Sequence, residues 1–249
     1  GLTGLLQLKI PMSQLSNGTS SLASINVSGC TNLGRIKAAW NTTNLSSINL
    51  TGCTNLEQLN LKESPALTSL NLTGISSLLK LSVGDRGTPG GLTSLPTNLA
   101  ANTNLIALGL AGQQFTDPLN LTPFNKLRRV SVRTTPTTSV TIAGDSLLMV
   151  NVRSTDVTSA TLSNASNLQE FRAANSKLTT LDVTGVSSSI NSIGLRDAAL
   201  TDIIGITGEA GITTINASGN KLDLTKAVQV ALVPVARFPN NDPDPVANE

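Results

Sequence analysis

Apolar residues recur along this chain at a short, regular interval. Leu45, Leu56, Leu67 and Leu78 are each 11 residues apart, and each opens a phrase of the form L-x-x-L-x-L (LSSINL, LEQLNL, LTSLNL and LLKLSV). Apolar and polar positions alternate at the end of each phrase, which is typical of a β-strand with one buried and one solvent-facing side. The pattern therefore predicts a series of short strands whose apolar side chains all point into a common core.

A longer period contains this short one. The phrase SINVSGCTNL at residues 24–33 returns almost unchanged as SINLTGCTNL at residues 47–56, so one full period spans two of the short units. Because a single coil cannot bury its own apolar stripe, such repeats are stable only when stacked on one another. We therefore predict a mainly β solenoid with coils of about 20 to 23 residues, two apolar segments in each coil, a parallel sheet and little helix.

The best preserved repeat lies near the end of the pattern. Its consensus positions are Ile212, Ile215, Ala217, Asn220 and Leu222. This spacing, L-x-x-L-x-L-x-x-N/C-x-L, resembles the leucine-rich repeat family. The short coils rich in Asn and Thr are most similar to bacterial surface repeats of the internalin or BspA type, and similar repeats occur in phage receptor-binding proteins. The resemblance implies a leucine-rich repeat solenoid with a binding role, and it names no ligand.

The repeat pattern also predicts where the domain begins and ends. Residues 1–20 precede the repeats and are expected to cap one end of the solenoid, which spans residues 21–222. An insertion at residues 84–103, rich in Gly and Pro, breaks the register, and insertions of this kind form either neutral loops or binding loops. Residues 223–237 have lost the repeat and are expected to cap the other end. The Pro-, Asn- and Asp-rich segment 238–249 is expected to be a tail or linker.

Composition narrows the class of protein. Aromatic residues are 2% of the chain and charged residues 13%, so small aliphatic side chains must fill the core and Ser, Thr and Asn must cover the surface. This surface is common in extracellular β-solenoids. A formal net charge of +2 with few aromatic side chains argues against nucleic acid as a partner. No apolar run is long enough to insert into a membrane. We therefore expect an extracellular, cell-surface or virion location.

Catalytic constellations are missing from the sequence. The chain contains no histidine, which removes the Ser-His and Cys-His pairs of nucleophilic catalysis. The acidic residues Glu57, Asp182 and Asp202 have no obvious partner in an adjacent coil, as a two-carboxylate hydrolase would require. Neither a P-loop nor a dinucleotide-binding glycine pattern is present. We predict that the protein is not an enzyme and has no cofactor and no metal site.

Two cysteines occupy the same position of successive coils. Cys30 and Cys53 fall in the slot that holds Ile75 in the next coil, so both should point inward. Stacked equivalents lie about 4.8 Å apart, a separation that permits a disulfide. The alternative is a pair of buried thiols that act as small apolar side chains.

A column of arginines is the one group of residues in the sequence that suggests a particular binding chemistry. Aligning the phrases LRRVSVR, LLMVNVR, LQEFRAA and INSIGLR places Arg133, Arg153 and Arg196 just beyond successive strands, with Arg172 two residues earlier, beside Ser131 and Asn151. The candidate ligand-binding set is Arg128, Arg129, Arg133, Arg153, Arg172 and Arg196. Arginine pairs bidentately with carboxylate, sulfate or phosphate.

Two interpretations of this column stay open. It is either a binding ladder or a solvated face partly neutralised by Glu170, Asp156 and Asp197. The other apolar segments carry polar residues that offer a second surface, a hydroxyl-rich face able to contact sugar. Its members are Asn120, Thr122, Thr141, Thr161, Asp182 and Thr184.

Two functions fit these features. The first is a non-catalytic adhesion or recognition module that binds a surface glycan or protein through an exposed sheet face. The second is a structural component, such as a virion decoration or fibre protein or the stalk spacer of a larger surface assembly, joined to further domains or subunits.

Overall fold

A computed structural model describes residues 2–10, 22–38, 44–84, 89–184, 186, 189–205 and 213–222. The predicted C-terminal cap at 223–237 and the tail at 238–249 lie outside these residues. The chain forms two compact units, unit 1 at residues 1–115 and unit 2 at residues 116–249.

Unit 1 is a stack of coils joined by parallel strands. Its elements are β1 (Gln7–Ile10), β2 (Ser24–Asn26), β3 (Arg35–Ala38), β4 (Ser47–Asn49), β5 (Gln58–Leu61), β6 (Lys80–Val83), the 3-10 helix η1 (Leu99–Ala101) and β7 (Ala107–Gly109). Strands β1, β3, β5, β6 and β7 are neighbours in that order in one parallel sheet, and β2 pairs with β4 on the other side of the coil. The predicted N-terminal cap therefore contributes a strand of its own, β1, to this sheet.

Unit 2 repeats the same plan. Its strands are β8 (Leu119–Asn120), β9 (Arg129–Ser131), β10 (Ser139–Ala143), β11 (Met149–Asn151), β12 (Ser159–Ser163), β13 (Glu170–Arg172), β14 (Thr180–Asp182), β15 (Ser192–Gly194), β16 (Asp202–Ile204) and β17 (Thr214–Asn216). The odd-numbered strands from β9 to β17 form a parallel sheet in chain order. The even-numbered strands form the second side of each coil, in the groups β12-β10-β8 and β14-β16.

The alternating sequence pattern explains the core. Ile36, Leu59, Leu81 and Leu108 are partners in register on successive strands of unit 1, and all four are buried. Their burial stabilises each coil by about 1.5–3 kcal/mol per side chain. In unit 2 the corresponding row includes Phe171, which is also fully buried. A core one side chain deep in each coil needs few aromatic residues, as the composition indicated.

Register partners confirm the predicted coil length in most of the chain. In unit 2, Val130, Val150 and Phe171 are successive partners in register, at the interval of about 20 residues that short leucine-rich repeats have. In unit 1, the step from Leu81 to its partner Leu108 is longer, because the insertion at 84–103 lies between them. The predicted leucine-rich repeat solenoid, with parallel sheets and almost no helix among the described residues, is confirmed. Among those residues, none of the helical segments has the length and apolarity needed to cross a bilayer.

The insertion joins the neighbouring coils through hydrogen bonds. The amide of Leu92 donates to Oε1 of Gln113 at 3.0 Å, and Thr97 forms a parallel bridge with Asn71. Leu92 and Gln113 are both buried. The described residues of the segment 84–103 therefore extend the coil.

The repeated phrase S/T-G-C-T-N forms the corner after β2 and β4. Gly29 and Gly52 have φ angles of 74° and 80°, a left-handed conformation that glycine adopts without steric cost. A Cβ at Gly52 would lie 3.4 Å from the backbone of Gly29. The amides of Cys30 and Cys53 then donate to the carbonyls of Val27 and Leu50, which closes the turn.

Candidate functional site: an arginine surface on unit 2

The sheet of unit 2 presents its polar positions on the side opposite the core. Its register aligns Arg129, Met149 and Glu170 in one outward column. A second outward column, two residues further along each strand, contains Ser131, Asn151 and Arg172. The placement of Arg172 beside Asn151 and Ser131 agrees with the alignment of the sequence phrases. Arg128 lies just before β9 and is exposed, and its carbonyl accepts hydrogen bonds from the amides of Leu148 and Met149.

Three further arginines lie where the strands end. The amide of Thr134 donates to the carbonyl of Arg153, and the amide of Asn175 donates to the carbonyl of Arg196. These bonds continue the parallel ladder, so Arg133 and Arg153 occupy equivalent positions in neighbouring coils. Arg196 holds the same position two coils beyond Arg153, because Ala174 takes this place in the coil between them. We call the six arginines from Arg128 to Arg196 the arginine surface.

The residue after each of these positions has a left-handed backbone. Its φ is 56° at Thr134, 54° at Ser154, 56° at Asn175 and 53° at Asp197. Only a minority of non-glycine residues adopt this conformation. The chain therefore turns sharply at the same point in four successive coils. The turn fixes the backbone direction at Arg133, Arg153 and Arg196, which immediately precede it.

Buried hydroxyl groups close three of these turns. The Oγ1 atoms of Thr135 and Thr155 donate to the carbonyls of Val132 and Val152, each at 2.7 Å. Ser176 makes the equivalent bond to the carbonyl of Ala173, also at 2.7 Å. The sequence signal for this arrangement is a Ser or Thr three residues after the buried strand residue, and the repeat pattern alone did not reveal it.

The arginines differ strongly in exposure. Arg128 is exposed, Arg129 and Arg153 are half-buried, and only 7% of Arg133 is accessible to solvent. At Arg133 the column is therefore buried and is not a solvated face. The side chain of Arg172 is 14% exposed and that of Arg196 is 51% exposed.

Two of the predicted neutralising carboxylates do pair with arginines. Nε of Arg172 lies 2.6 Å from Oε1 of Glu170, and Nε of Arg196 lies 2.9 Å from Oδ2 of Asp197. Oδ1 of the third of these carboxylates, Asp156, lies 2.8 Å from Nζ of Lys177. The reason is positional, because Asp156 and Lys177 both follow the buried hydroxyl of their turns and so occupy equivalent places in adjacent coils.

Polar side chains within this surface are buried as well. Ser131 is fully buried and Asn151 is 2% exposed. Oδ1 of Asn151 accepts a hydrogen bond from the amide of Arg153, whereas Oγ of Ser131 has no hydrogen-bond partner. Buried hydroxyls are usually hydrogen-bonded, so Ser131 is an exception within the arginine surface.

The two cysteines belong to the core of unit 1. Both are buried free thiols, and their equivalent in the next coil, Ile75, is buried too. Sγ of Cys53 lies 3.1 Å from the carbonyl oxygen of Val27, to which the thiol donates. Burial, followed by the neighbouring Cys30 thiol, raises the pKa of Cys53, so this thiol has little nucleophilic thiolate at neutral pH.

The hydroxyl-rich face expected on the second side of the coils is formed in part. Asn120, Thr141 and Thr161 are partners in register across β8, β10 and β12. Oδ1 of Asn120 accepts hydrogen bonds from the amide and the hydroxyl of Thr122, at 3.0 and 2.8 Å. Asp182 accepts the equivalent amide bond from Thr184 at 2.9 Å. Asn120 and Asp182 therefore cap the corners that follow their strands.

Unit 1 carries a set of cationic side chains that the alignment of the chain's own repeat phrases missed. The register places Lys9 beside Lys37, and Arg35 lies two residues before Lys37 on the same outward face. All three are exposed. Their phrases, QLKI and GRIKA, lack the L-x-x-V-x-V-R form that revealed the arginine column. The signal was the alternation of charged and apolar residues in R-I-K-A, which places both charges on one side of a strand.

No protein-family model matches this sequence, and no curated protein matches it. Solved structures do match. An internalin from Listeria monocytogenes is similar at 16% identity over 87% of this chain and 88% of that chain, with a TM-score of 0.44. A leucine-rich repeat protein from Leptospira interrogans is similar at 14% identity over 83% of this chain and 86% of that chain, with a TM-score of 0.33. The fold assignment rests on the strands and repeats of this chain itself.

Proposed function

We propose that this protein is a non-catalytic recognition module that binds a surface glycan or protein through anionic groups held on the arginine surface. The observation that carries the proposal is the register of unit 2, which repeats arginine at the same turn position of the coils at Arg133, Arg153 and Arg196. A repeated basic position suits a ligand that presents repeated anionic groups. Such ligands are displayed outside cells, in keeping with the expected surface location.

The chemistry of the side chains supports an anionic ligand. Each guanidinium offers a planar set of donors that matches carboxylate or sulfate oxygens. Half-buried arginines lose little conformational freedom on binding, because their stems are already packed against neighbours. Arg172 and Arg196 each hold one carboxylate at Nε, so a ligand would add to an existing ion pair or replace its acid.

The test is binding of the whole chain to an array of acidic and neutral glycans and to intact bacterial cells. The test variant carries Ser at Arg133, Arg153, Arg172 and Arg196. We expect binding that weakens with salt and falls at least about tenfold in this variant, since each lost charged contact contributes roughly 0.2–1 kcal/mol or more. The control carries Gln at Lys126, Lys177 and Lys221, which are exposed and lie off the outward sheet columns.

Folding must be separated from binding, because Arg133 and Arg172 are largely buried. A second variant therefore changes only the two exposed arginines, Arg128 and Arg196, to Ser, and urea unfolding is measured for every protein. Binding by the four-site variant equal to that of the wild type would refute the proposal. No binding by either protein would also refute it and would favour the structural role, a spacer or decoration component.

A further inference from the structure

The outward side of the unit 1 sheet is a cationic face without carboxylates. Its ten positions are Gln7 and Lys9 on β1, Arg35 and Lys37 on β3, Gln58 and Asn60 on β5, Lys80 and Ser82 on β6, and Ala107 and Gly109 on β7. None of them is acidic. We give the name lysine face to its exposed charged part, Lys9, Arg35 and Lys37.

These three charges lie close together. Lys9 and Lys37 are partners in register on adjacent strands, about 4.8 Å apart at their backbones, and Arg35 lies about 6.6 Å from Lys37 along β3. Both separations are shorter than the Debye length of about 8 Å at physiological ionic strength, so the charges act together on an approaching ion. Like charges placed directly opposite one another on a sheet are unfavourable for folding. None of the three forms an ion pair with a described residue.

The side chains around the lysine face select among anionic partners. The ten outward positions include no aromatic residue and no large aliphatic one, whereas the centre of a protein–protein interface is usually apolar and aromatic. Without aromatic rings the face cannot stack on single-stranded nucleic acid bases. A flat sheet also lacks a protruding element that could enter the major groove of a duplex.

A polar neighbour indicates a partner with hydroxyl groups. Asn60 is the register partner of Lys37, and its buried Oδ1 has no hydrogen-bond partner. Ser82 follows Asn60 in the same column. A ligand that carries both anionic groups and hydroxyl donors would meet the cations and the amide oxygen together, and acidic polysaccharides combine these groups along one chain.

From this juxtaposition we propose that the lysine face is a second binding site, specific to unit 1, for an extended anionic polysaccharide. Lys9, Arg35 and Lys37 contact its sulfate or carboxylate groups, and Asn60 accepts a hydrogen bond from a sugar hydroxyl. The site does not depend on the arginine surface or on the identity of the ligand proposed for it. Binding here is mainly electrostatic, because ammonium groups on flexible stems act as point charges.

The experiment titrates the full chain with fluorescein-labelled dextran sulfate at low ionic strength and follows fluorescence anisotropy. The test variant is K9Q/R35Q/K37Q. The control is K126Q/K177Q/K221Q, which removes the same number of exposed positive charges from unit 2. We expect the test variant to lose at least about tenfold in affinity, as three exposed ion pairs imply, and the control to stay within about twofold. N60A should weaken binding when it is made in the otherwise unchanged protein. It should have no added effect in K9Q/R35Q/K37Q, which lacks the three cations.

Four results would overturn the proposal. They are no binding of dextran sulfate by the wild type, equal losses in the test and control variants, equal affinity for poly-glutamate, and equal affinity for duplex DNA. Neutral dextran is included to show that charge is required, and urea unfolding checks that K9Q/R35Q/K37Q remains folded.

The variant with Ser at Arg133, Arg153, Arg172 and Arg196 is titrated in parallel. If that variant binds as the wild type does while K9Q/R35Q/K37Q does not, the lysine face stands and the arginine surface takes no part in this interaction.

Discussion

Short polar side chains hold the corners of the coils. The Oδ1 atoms of Asn26, Asn49, Asn71 and Asn120 each accept a hydrogen bond from the amide two residues further along the chain. Asx turns of this kind satisfy a backbone donor at a bend without help from the next coil. The abundance of Asn, Ser and Thr, which the composition associated with an extracellular surface, therefore also has a structural cause inside each repeat.

Asp182 occupies this corner position with a carboxylate. Hydrogen bonds from the side chain and then the backbone of Thr184 lower its pKa. A lowered pKa means that the ionised form stabilises the folded state above the unfolded-state pKa of about 3.9, and that this contribution is lost as pH falls through the folded value. The contribution is small because Asp182 is exposed.

We predict that the substitution Thr184→Ala raises the pKa of Asp182 toward its ordinary value, because the side-chain donor is lost. The measurement is a titration of the Asp182 carboxyl carbon by NMR between acidic and neutral pH. Thr161→Ala, on the same side of the coils, should leave the titration of Asp182 unchanged. A midpoint that does not move in Thr184→Ala would show that the backbone amide alone sets this pKa.

At the scale of the element, the turns after the unit 2 strands decide where the arginines lie. Thr155 is buried, and its Oγ1 donates to the carbonyl of Val152 at 2.7 Å. We predict that Thr155→Val, which keeps the shape and removes the donor, lowers the free energy of unfolding by about 1–3 kcal/mol, because a buried carbonyl loses its hydroxyl partner. Urea unfolding measures this change.

The matched control is Thr161→Val, because Thr161 is exposed and an exposed hydroxyl loses little on replacement. Its effect should stay within about 0.5 kcal/mol. Equal stability of the two variants would mean that the left-handed turn at Ser154 is held by its backbone alone. The arginine position at residue 153 would then not depend on the hydroxyl that follows it.

The sequence predicted the strands and their register more fully than it predicted the burial and pairing of individual side chains. The register of Arg133, Arg153 and Arg172 follows from aligning apolar positions, because apolar rows fix which residues of successive coils are neighbours. The burial of Arg133 depends on the side chains packed around it, and no local pattern encodes that packing. The pairing of Asp156 with Lys177, by contrast, joins equivalent places of adjacent coils, so the same alignment of apolar positions would have predicted it.

The lysine face is a second feature that the repeat pattern did not predict. The chain between Lys9 and Lys37 is longer than one coil of the clear repeats, and the register that joins these residues comes from β1. The expectation that residues 1–20 cap the solenoid did not say which of these residues would pair with the sheet. A strand that joins the sheet at its edge needs no repeat signature, only a row of alternating residues such as QLKI.

At the scale of a whole unit, a stack of coils distributes stability along its length. Each repeat contacts mainly its neighbours, so the local stability depends on how many neighbours a strand has. In unit 1, β5 is hydrogen-bonded to β3 and β6, whereas β1 has β3 as its single partner among the described strands. Leu59 on β5 is fully buried, and its register equivalent on β1, Leu8, is half-buried.

We predict that backbone amides of β5 exchange with solvent at least about tenfold more slowly than those of β1, since β1 can open without disrupting the rest of the sheet. Hydrogen exchange followed by mass spectrometry or NMR measures both. Leu8→Ala should speed exchange in β1 and leave β5 nearly unchanged. Leu59→Ala should lower the stability of the sheet around β5 by about 2–5 kcal/mol, through the cavity it leaves. If both substitutions accelerate β1 and β5 equally, unit 1 opens as one cooperative block, and its lysine face could not loosen at β1 without unfolding the whole sheet.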